Sequence, residues 1–307
     1  MTSPGAFNIL SAPFDKGGPL GGPQFAPNTL LQNGLLEVLK SVGYEAQVRQ
    51  TTFEALIEKQ NEEFNSLSRD DTDRKYELYH HTCQLIQKMV EECLQDGFRP
   101  FVLGGDHSVA LGTVAGLAKY YFERERKIGL IWVDAHGDIN TPSTSVTGNL
   151  HGMPVAHVIN LGCPQLNDLA GFSPMVAPSN VVIIGARDLD RPEVEIIKKN
   201  DILCFSMADI RRIGMERVQE LAIERATRGT CGFHLSWDFD WMDPNVMSAV
   251  NTPVKFGASI AEGIALLKGL FNHPLLLSSE FVEYNPTHDP TSDSLKMILS
   301  CFKEMKI

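Results

Sequence analysis

The chain has 307 residues, 43% of them hydrophobic, enough for a substantial core in one large α/β domain or two ordinary ones. Its formal net charge of -11, with lysine and arginine scattered along the chain, argues against a nucleic-acid surface. No apolar run approaches the ~18 residues of a membrane span, no signal-peptide-like leader opens the chain, and the six cysteines lie far apart without a CxxC pair. A cytoplasmic protein with reduced thiols and no membrane association is the expectation.

In chain order, an apolar strand Phe7 to Leu10 precedes a loop rich in Gly and Pro, Gly17 to Pro27, and a helix over about 26–41. A weaker strand, Ala46 to Arg49, is followed by a helix over about 71–95. Strand Phe101 to Leu103 runs through GGDHS into a helix over about 108–124, and strand Ile128 to Val133 runs into DAHGD and a second Gly/Pro loop, Asn140 to Pro154. Strand Val181 to Ile184 precedes a helix over about 192–199, with Pro192 in its first turn, and strand Ile202 to Phe205 precedes one over about 213–227. Strand Phe233 to Leu235, a helix over about 259–270, strand Leu275 to Leu277 and a helix over about 290–304, opened by Asp289-Pro290, complete the chain. This alternation, with no repeat or linker to divide it, predicts a single domain over 1–307: a three-layer α/β/α sandwich around a mainly parallel sheet of about eight strands.

Loops that follow strands are where open α/β sheets place their ligand sites, and here those loops are acidic. Asp134, His136 and Asp138 stand at alternate positions after one apolar run, so in an extended chain they point the same way. Asp238 and Asp240 repeat the spacing in SWDFDWMDP, His107 follows another strand in GGDHS, and Glu283 lies in EFVEYNP. Singly, a strand-end Asp is ordinarily a cap and a lone His an ordinary hydrogen-bonded residue. Together, two imidazoles and four carboxylates converging on one sheet edge repel one another at neutral pH unless a cation joins them. The oxygen-rich set favours Mn²⁺ over a thiolate-zinc arrangement, and six ligands suit two ions better than one. Two such ions would act as Lewis acids on a shared water, making hydrolysis possible without a protein nucleophile.

These segments resemble the arginases of the ureohydrolase superfamily, nearly end to end: SAPFDKGGPLGGPQFAPNTL, GGDHS, WVDAHGDINTP, TGNLHGMP, IGARDLD, SWDFDWMDP and VEYNP. The resemblance implies two Mn²⁺ per subunit, one held by His107, Asp134, Asp138 and Asp238, the other by His136, Asp134, Asp238 and Asp240, with Asp134 and Asp238 bridging. It implies that Asn140, Thr147 and Asn149 bind the α-carboxylate of L-arginine, that Asp190 meets its amino group, assisted through water by Glu193, and that Glu283 orients the guanidinium near Thr252. The implied reaction is hydrolysis of L-arginine to L-ornithine and urea by hydroxide bridging the two ions, with Asp138 carrying the proton to the leaving nitrogen and His151 shuttling protons. His80, His81, His157, His234, His273 and His288 match no ligand position and are assigned no role.

Departures from the family cluster late in the chain. Trp241 and Met242 precede Asp243-Pro244, Asn251 and Phe256 stand where arginases carry glycine, and Gly137 stands where threonine is frequent. Loss of glycine removes easy access to φ > 0, so the loop toward the guanidinium end is expected to differ in path. The family implies a homo-oligomer, trimer or hexamer, but the arginine of its YREG segment is Ala261 in IAEG here. The alternatives are another ureohydrolase, an agmatinase or guanidino-acid hydrolase, and a non-catalytic arginine-binding homologue. Retention of all six ligands argues against the last, and absence of a GNHD or GNHE segment against a metallophosphoesterase.

Overall fold

The computed structural model describes residues 6–68 and 71–306. Eight strands form one sheet: β1 Phe7–Ala12, β2 Ala46–Val48, β3 Arg99–Gly104, β4 Gly129–Val133, β5 Val181–Ala186, β6 Leu203–Ser206, β7 Phe233–Asp238 and β8 Leu276–Val282. Their order is β2-β1-β3-β8-β7-β4-β5-β6 and every pairing is parallel.

The period of two sorts each strand's residues into two cores. Phe7, Ile9, Phe101, Leu103, Ile131, Val133, Val182, Ile184, Leu235 and Phe281 face one side, where they meet helices Ala26–Gln32, Leu35–Ser41, Met215–Thr227, Ile260–Phe271 and Asp293–Lys303. Leu10, Val102, Leu130, Trp132, Val181 and Ile183 face the other, against helices Thr72–Gln95, Ala110–Phe122 and Arg191–Lys199. Phe271 anchors the first core: its ring centroid lies 5.0 Å from that of Phe7, 5.8 Å from Phe101 and 5.2 Å from Tyr44. The single-domain three-layer expectation therefore holds across the described residues.

Several boundaries differ from the sequence expectation. The helix predicted over 26–41 is two helices, broken at Asn33-Gly34, where Gly34 takes φ 91. The helix predicted over 213–227 is likewise preceded by a separate one, Met207–Ile213, which Ser206 caps and Gly214 (φ 89) ends. The last helix starts at Asp293, because Pro286–His288 forms a tight turn and Ser292 takes φ 58 ahead of it. Helix Phe53–Asn65 is unpredicted: its buried residues are Ile57, Gln60 and Asn61, so polar groups occupy the inward face and blur the apolar period. β8 extends to Val282 because Ser278, Ser279 and Glu280, which look like loop residues, are buried strand positions.

Candidate metal centre

All strands being parallel, their C-terminal ends share one edge, and the predicted ligands gather there. His107 follows β3, Asp134, His136 and Asp138 follow β4, Asp238 ends β7, and Glu283 follows β8. Gly105 lets β3 leave the sheet toward the site, since a Cβ there would lie 1.9 Å from the Phe14 carbonyl oxygen. The convergence of Asp134, His136 and Asp138 does not come from strand alternation. β4 ends at Val133, the next residues bend, and Asp138 takes φ 47, so a turn gathers the three side chains. Glu283 also has positive φ, 68, held by its N–H donating to the Gly105 carbonyl at 2.8 Å. Non-glycine residues in this region are strained by roughly 1–3 kcal/mol and persist where surrounding structure enforces them.

Two ligand groups share Asp134. His107 Nδ1 lies 2.9 Å from Asp134 Oδ2, 3.2 Å from Asp138 Oδ2 and 3.1 Å from Asp238 Oδ2. His136 Nδ1 lies 3.2 Å from Asp134 Oδ1 and 3.1 Å from Asp240 Oδ2. The two oxygens of Asp134 face both imidazoles, Oδ1 also accepting the His136 N–H at 2.7 Å, whereas Asp238 presents Oδ2 to His107 and its Oδ1 accepts the Asp240 N–H at 2.6 Å. Supports fix these groups: the Trp132 indole donates to Asp134 Oδ2 at 3.0 Å and stacks on His107 with centroids 3.8 Å apart, while the Thr252 hydroxyl donates to Asp240 Oδ2 at 2.9 Å.

The electrostatics show a site built for positive charge. Burial, then Asp134, pushes the Asp138 carboxyl up to about 7; burial, then Asp240 and Asp134, holds Asp238 well above the usual carboxylate range. Burial alone would lower both imidazoles, yet the facing carboxylates hold His107 and His136 well above the ordinary histidine range. Protons are thus retained where a cation could replace them. His107 Nδ1 is fully buried and makes no hydrogen bond of proper geometry, although three carboxylate oxygens stand about 3 Å away. Once a cation displaces its proton, that buried nitrogen turns a lone pair to a point shared with carboxylates, which is what a bound divalent ion requires, so the residues fit two hard cations.

Above the ligands lies a cleft of about 260 Å³ lined by His136, Asp138, Asn140, Thr147, Asn149, His151, Asp190, Glu193 and Thr252, among others. Thr147 and Asp190 stand exposed at its rim, and the Asn140 amide donates to Asp190 Oδ2 at 2.9 Å. Glu193 is buried and occupied: Oε2 accepts the Asp190 N–H at 2.9 Å, closing the helix cap, and Oε1 accepts the Ile139 N–H at 3.2 Å. It braces the two loops that carry the rim. Glu283 sits deeper, with Oε1 accepting from the His107 N–H at 2.9 Å and paired with His151 Nδ1 at 3.0 Å, while its buried Oε2 has no hydrogen-bond partner among the described residues. Burial lowers the His151 pKa, but Glu283, with Asp106 and Asp138, outweighs it and pushes it up to about 9.

Some residues that build the site escaped the sequence reading. Asp106 accepts from the Gly17 N–H at 2.7 Å, the Gly18 N–H at 2.8 Å and the Ser108 N–H at 3.0 Å, and Gly17 in turn accepts the His151 N–H at 3.1 Å. Arg187 donates to the carbonyls of Asp240 and Val254, each at 2.8 Å, pinning the atypical late loop beside Asp240. Within that loop Trp241 is buried edge-on to Trp237, and Asn251 ties Leu20 to Asn285 through its amide. Phe256, 75% exposed, takes φ 65 despite its side chain. Asp188 lies on the cleft wall with Oδ2 3.9 Å from His136 Nε2. Only the GGDHS and GARDLD motifs carried a signal for Asp106, Arg187 and Asp188.

The chain matches the Arginase family over residues 6–305. It is 39% identical over 282 residues to an arginase of Brevibacillus brevis, covering 92% of this chain and 91% of that one. Among solved structures, it superposes on the arginase of Bacillus caldovelox with TM-score 0.85 at 31% identity, and on that of Bacillus cereus with TM-score 0.84 at 34% identity, each over 98% of both chains.

Proposed function

As a member of the arginase family the chain is an amidinohydrolase, and we propose that it hydrolyses L-arginine to L-ornithine and urea with two Mn²⁺ held by His107, Asp134, Asp138, His136, Asp238 and Asp240. The observation that carries the proposal is the shared Asp134, whose two oxygens face His107 and His136 at the floor of the cleft. Four carboxylates and two imidazoles favour manganese among the common divalent ions. Bound there, the pair of ions supplies Lewis acidity that makes water nucleophilic near neutral pH.

The chain's own residues then bind, orient and move protons. The free Oε2 of Glu283 is placed to accept from a guanidinium, a cation whose planar N–H groups suit a carboxylate. Asp138, between His107 and the cleft, takes the proton of the hydroxyl that has added to the guanidinium carbon and gives it to the departing nitrogen, so the carbon–oxygen double bond of urea forms as the carbon–nitrogen bond breaks and ornithine leaves as the neutral amine. His151, hydrogen-bonded to Glu283, exchanges protons between the buried site and the rim. Asn140, Thr147 and Asn149 present neutral donors suited to a carboxylate, and the exposed Asp190 suits an ammonium, which favours an amino-acid head over agmatine.

We place the protein in the cytoplasm and as a homo-oligomer, trimer or hexamer. All six cysteines are free, which accords with a reducing compartment; the family supports assembly, and light scattering measures it. No helix among the described residues is long and apolar enough to cross a membrane. The deciding experiment is urea release from L-arginine and from agmatine after Mn²⁺ loading, repeated after EDTA. Arginine turnover that exceeds agmatine turnover and is lost with EDTA is expected. No preference would overturn the substrate, and indifference to EDTA the metal chemistry.

A further inference from the structure

Behind the first ligand group, the sheet face that elsewhere carries apolar side chains turns polar. Ser236 of β7 stands opposite Glu280 of β8, and His234 opposite Ser278, in the parallel register. All four are fully buried. A buried carboxylate, imidazole and two hydroxyls contribute less to stability than well-packed apolar side chains of similar size, so their presence calls for another reason.

The contacts form a line that ends on a metal ligand. His107 Nε2 lies 2.8 Å from Ser236 Oγ, the Ser236 hydroxyl donates to Glu280 Oε1 at 2.6 Å, and His234 Nε2 lies 3.2 Å from the same oxygen. His234 Nδ1 is 2.7 Å from Ser278 Oγ. A hydroxyl has one proton, and with that proton given to Glu280 the Ser236 oxygen can only accept from His107. In the neutral imidazole that a cation would bind, the hydrogen is then on Nε2 and the Nδ1 lone pair is turned to the point shared by Asp134, Asp138 and Asp238.

We infer that Ser236 and Glu280 are positioning residues that hold His107 in the one neutral tautomer able to bind a cation, with His234 standing beside Glu280. The inference rests on the two-ion proposal above and adds an asymmetry to it. The second imidazole, His136, has no such buried line behind it among the described residues: its side chain is 23% exposed and its Nε2 lies 3.9 Å from Asp188 Oδ2. Disturbing Ser236 or Glu280 should therefore weaken one ion and spare the other.

The test is Mn²⁺ titration of the EDTA-treated full-length protein by calorimetry, with stoichiometry from native mass spectrometry and coupling between ions from electron paramagnetic resonance. In Glu280→Gln the new amide can donate to Ser236, freeing the hydroxyl proton to turn onto His107 Nε2 and select the wrong tautomer; Ser236→Ala removes the link with a smaller change. Both variants are expected to keep one ion at wild-type affinity and to bind the other about 10 to 100 times more weakly, with the coupled-pair signal replaced by that of isolated Mn²⁺. Ser236→Ala carries the contrast alone if Glu280→Gln does not fold. Two ions at wild-type affinity, or equal weakening of both alongside lower metal-free stability, would overturn the inference. A wild-type protein that binds fewer than two ions would instead refute the two-ion proposal on which it stands.

Discussion

Metal-free protein should lose stability between neutral and alkaline pH through one pair, His151 and Glu283. His151 is about 6.5 in an unfolded chain and is pushed up to about 9 in the fold. Because its folded value is the higher one, the stabilisation is fully present below about pH 6.5, declines as pH rises, and is gone above about pH 9. A difference of about 2.5 units at ~1.36 kcal/mol each is on the order of 3 kcal/mol. The assay is urea unfolding in EDTA at pH 6, 7.5 and 9.5 for the wild type and His151→Asn, comparing the two proteins at each pH so that other titrating groups cancel. The wild-type advantage should shrink by about that amount across the series, and Glu283→Gln should abolish the trend. Loading with Mn²⁺ places positive charge near the same proton and should shift the loss to lower pH. An advantage that is constant from pH 6 to 9.5 would refute the assignment of the pair as its source.

His136→Asn should weaken one ion and cut urea release strongly, whereas His151→Asn should leave both ions bound, as bound-metal analysis would show. Phe271→Ala removes the ring that joins Phe7, Tyr44, Phe101 and Phe281, and should cost roughly 3–5 kcal/mol of unfolding free energy while KM for arginine stays unchanged. Phe256→Gly should stabilise by up to about 1 kcal/mol because φ 65 strains any side chain, and Phe256→Ala, which keeps the Cβ, should not; equal unfolding midpoints for the two variants would count against strain there.

The layered fold was legible because apolar runs such as Ile128 to Val133 and the longer helical periods carry their signal locally. The candidate ligands were legible because Asp134, Asp138, Asp238 and the two imidazoles sit in short segments of high chemical density. What stayed hidden depends on burial that no local pattern reports. Glu280 and Ser278 look like loop residues, yet they are core positions of β8, and His234, set aside as roleless, stands against Glu280. Asp106 was visible within GGDHS, but its grip on the Gly17-Gly18 backbone joins segments nearly ninety residues apart. The convergence of Asp134, His136 and Asp138 was foreseen for the wrong reason, since a turn with positive φ at Asp138 does what strand alternation was expected to do.

The strand order has a consequence for how this chain comes to exist. β3 and β4 are neighbours in sequence but are separated in the sheet by β8 and β7, the last two strands to be synthesised. Until residue 282 has emerged, a growing chain can hold only two partial sheets, each with an open edge, with His107 on one and the Asp134 to Asp138 turn on the other. Open edges of this kind invite pairing with other chains. The same ions that would serve chemistry would then also bind the two halves across the late-arriving centre, so manganese supply should govern the yield of folded protein as well as its activity.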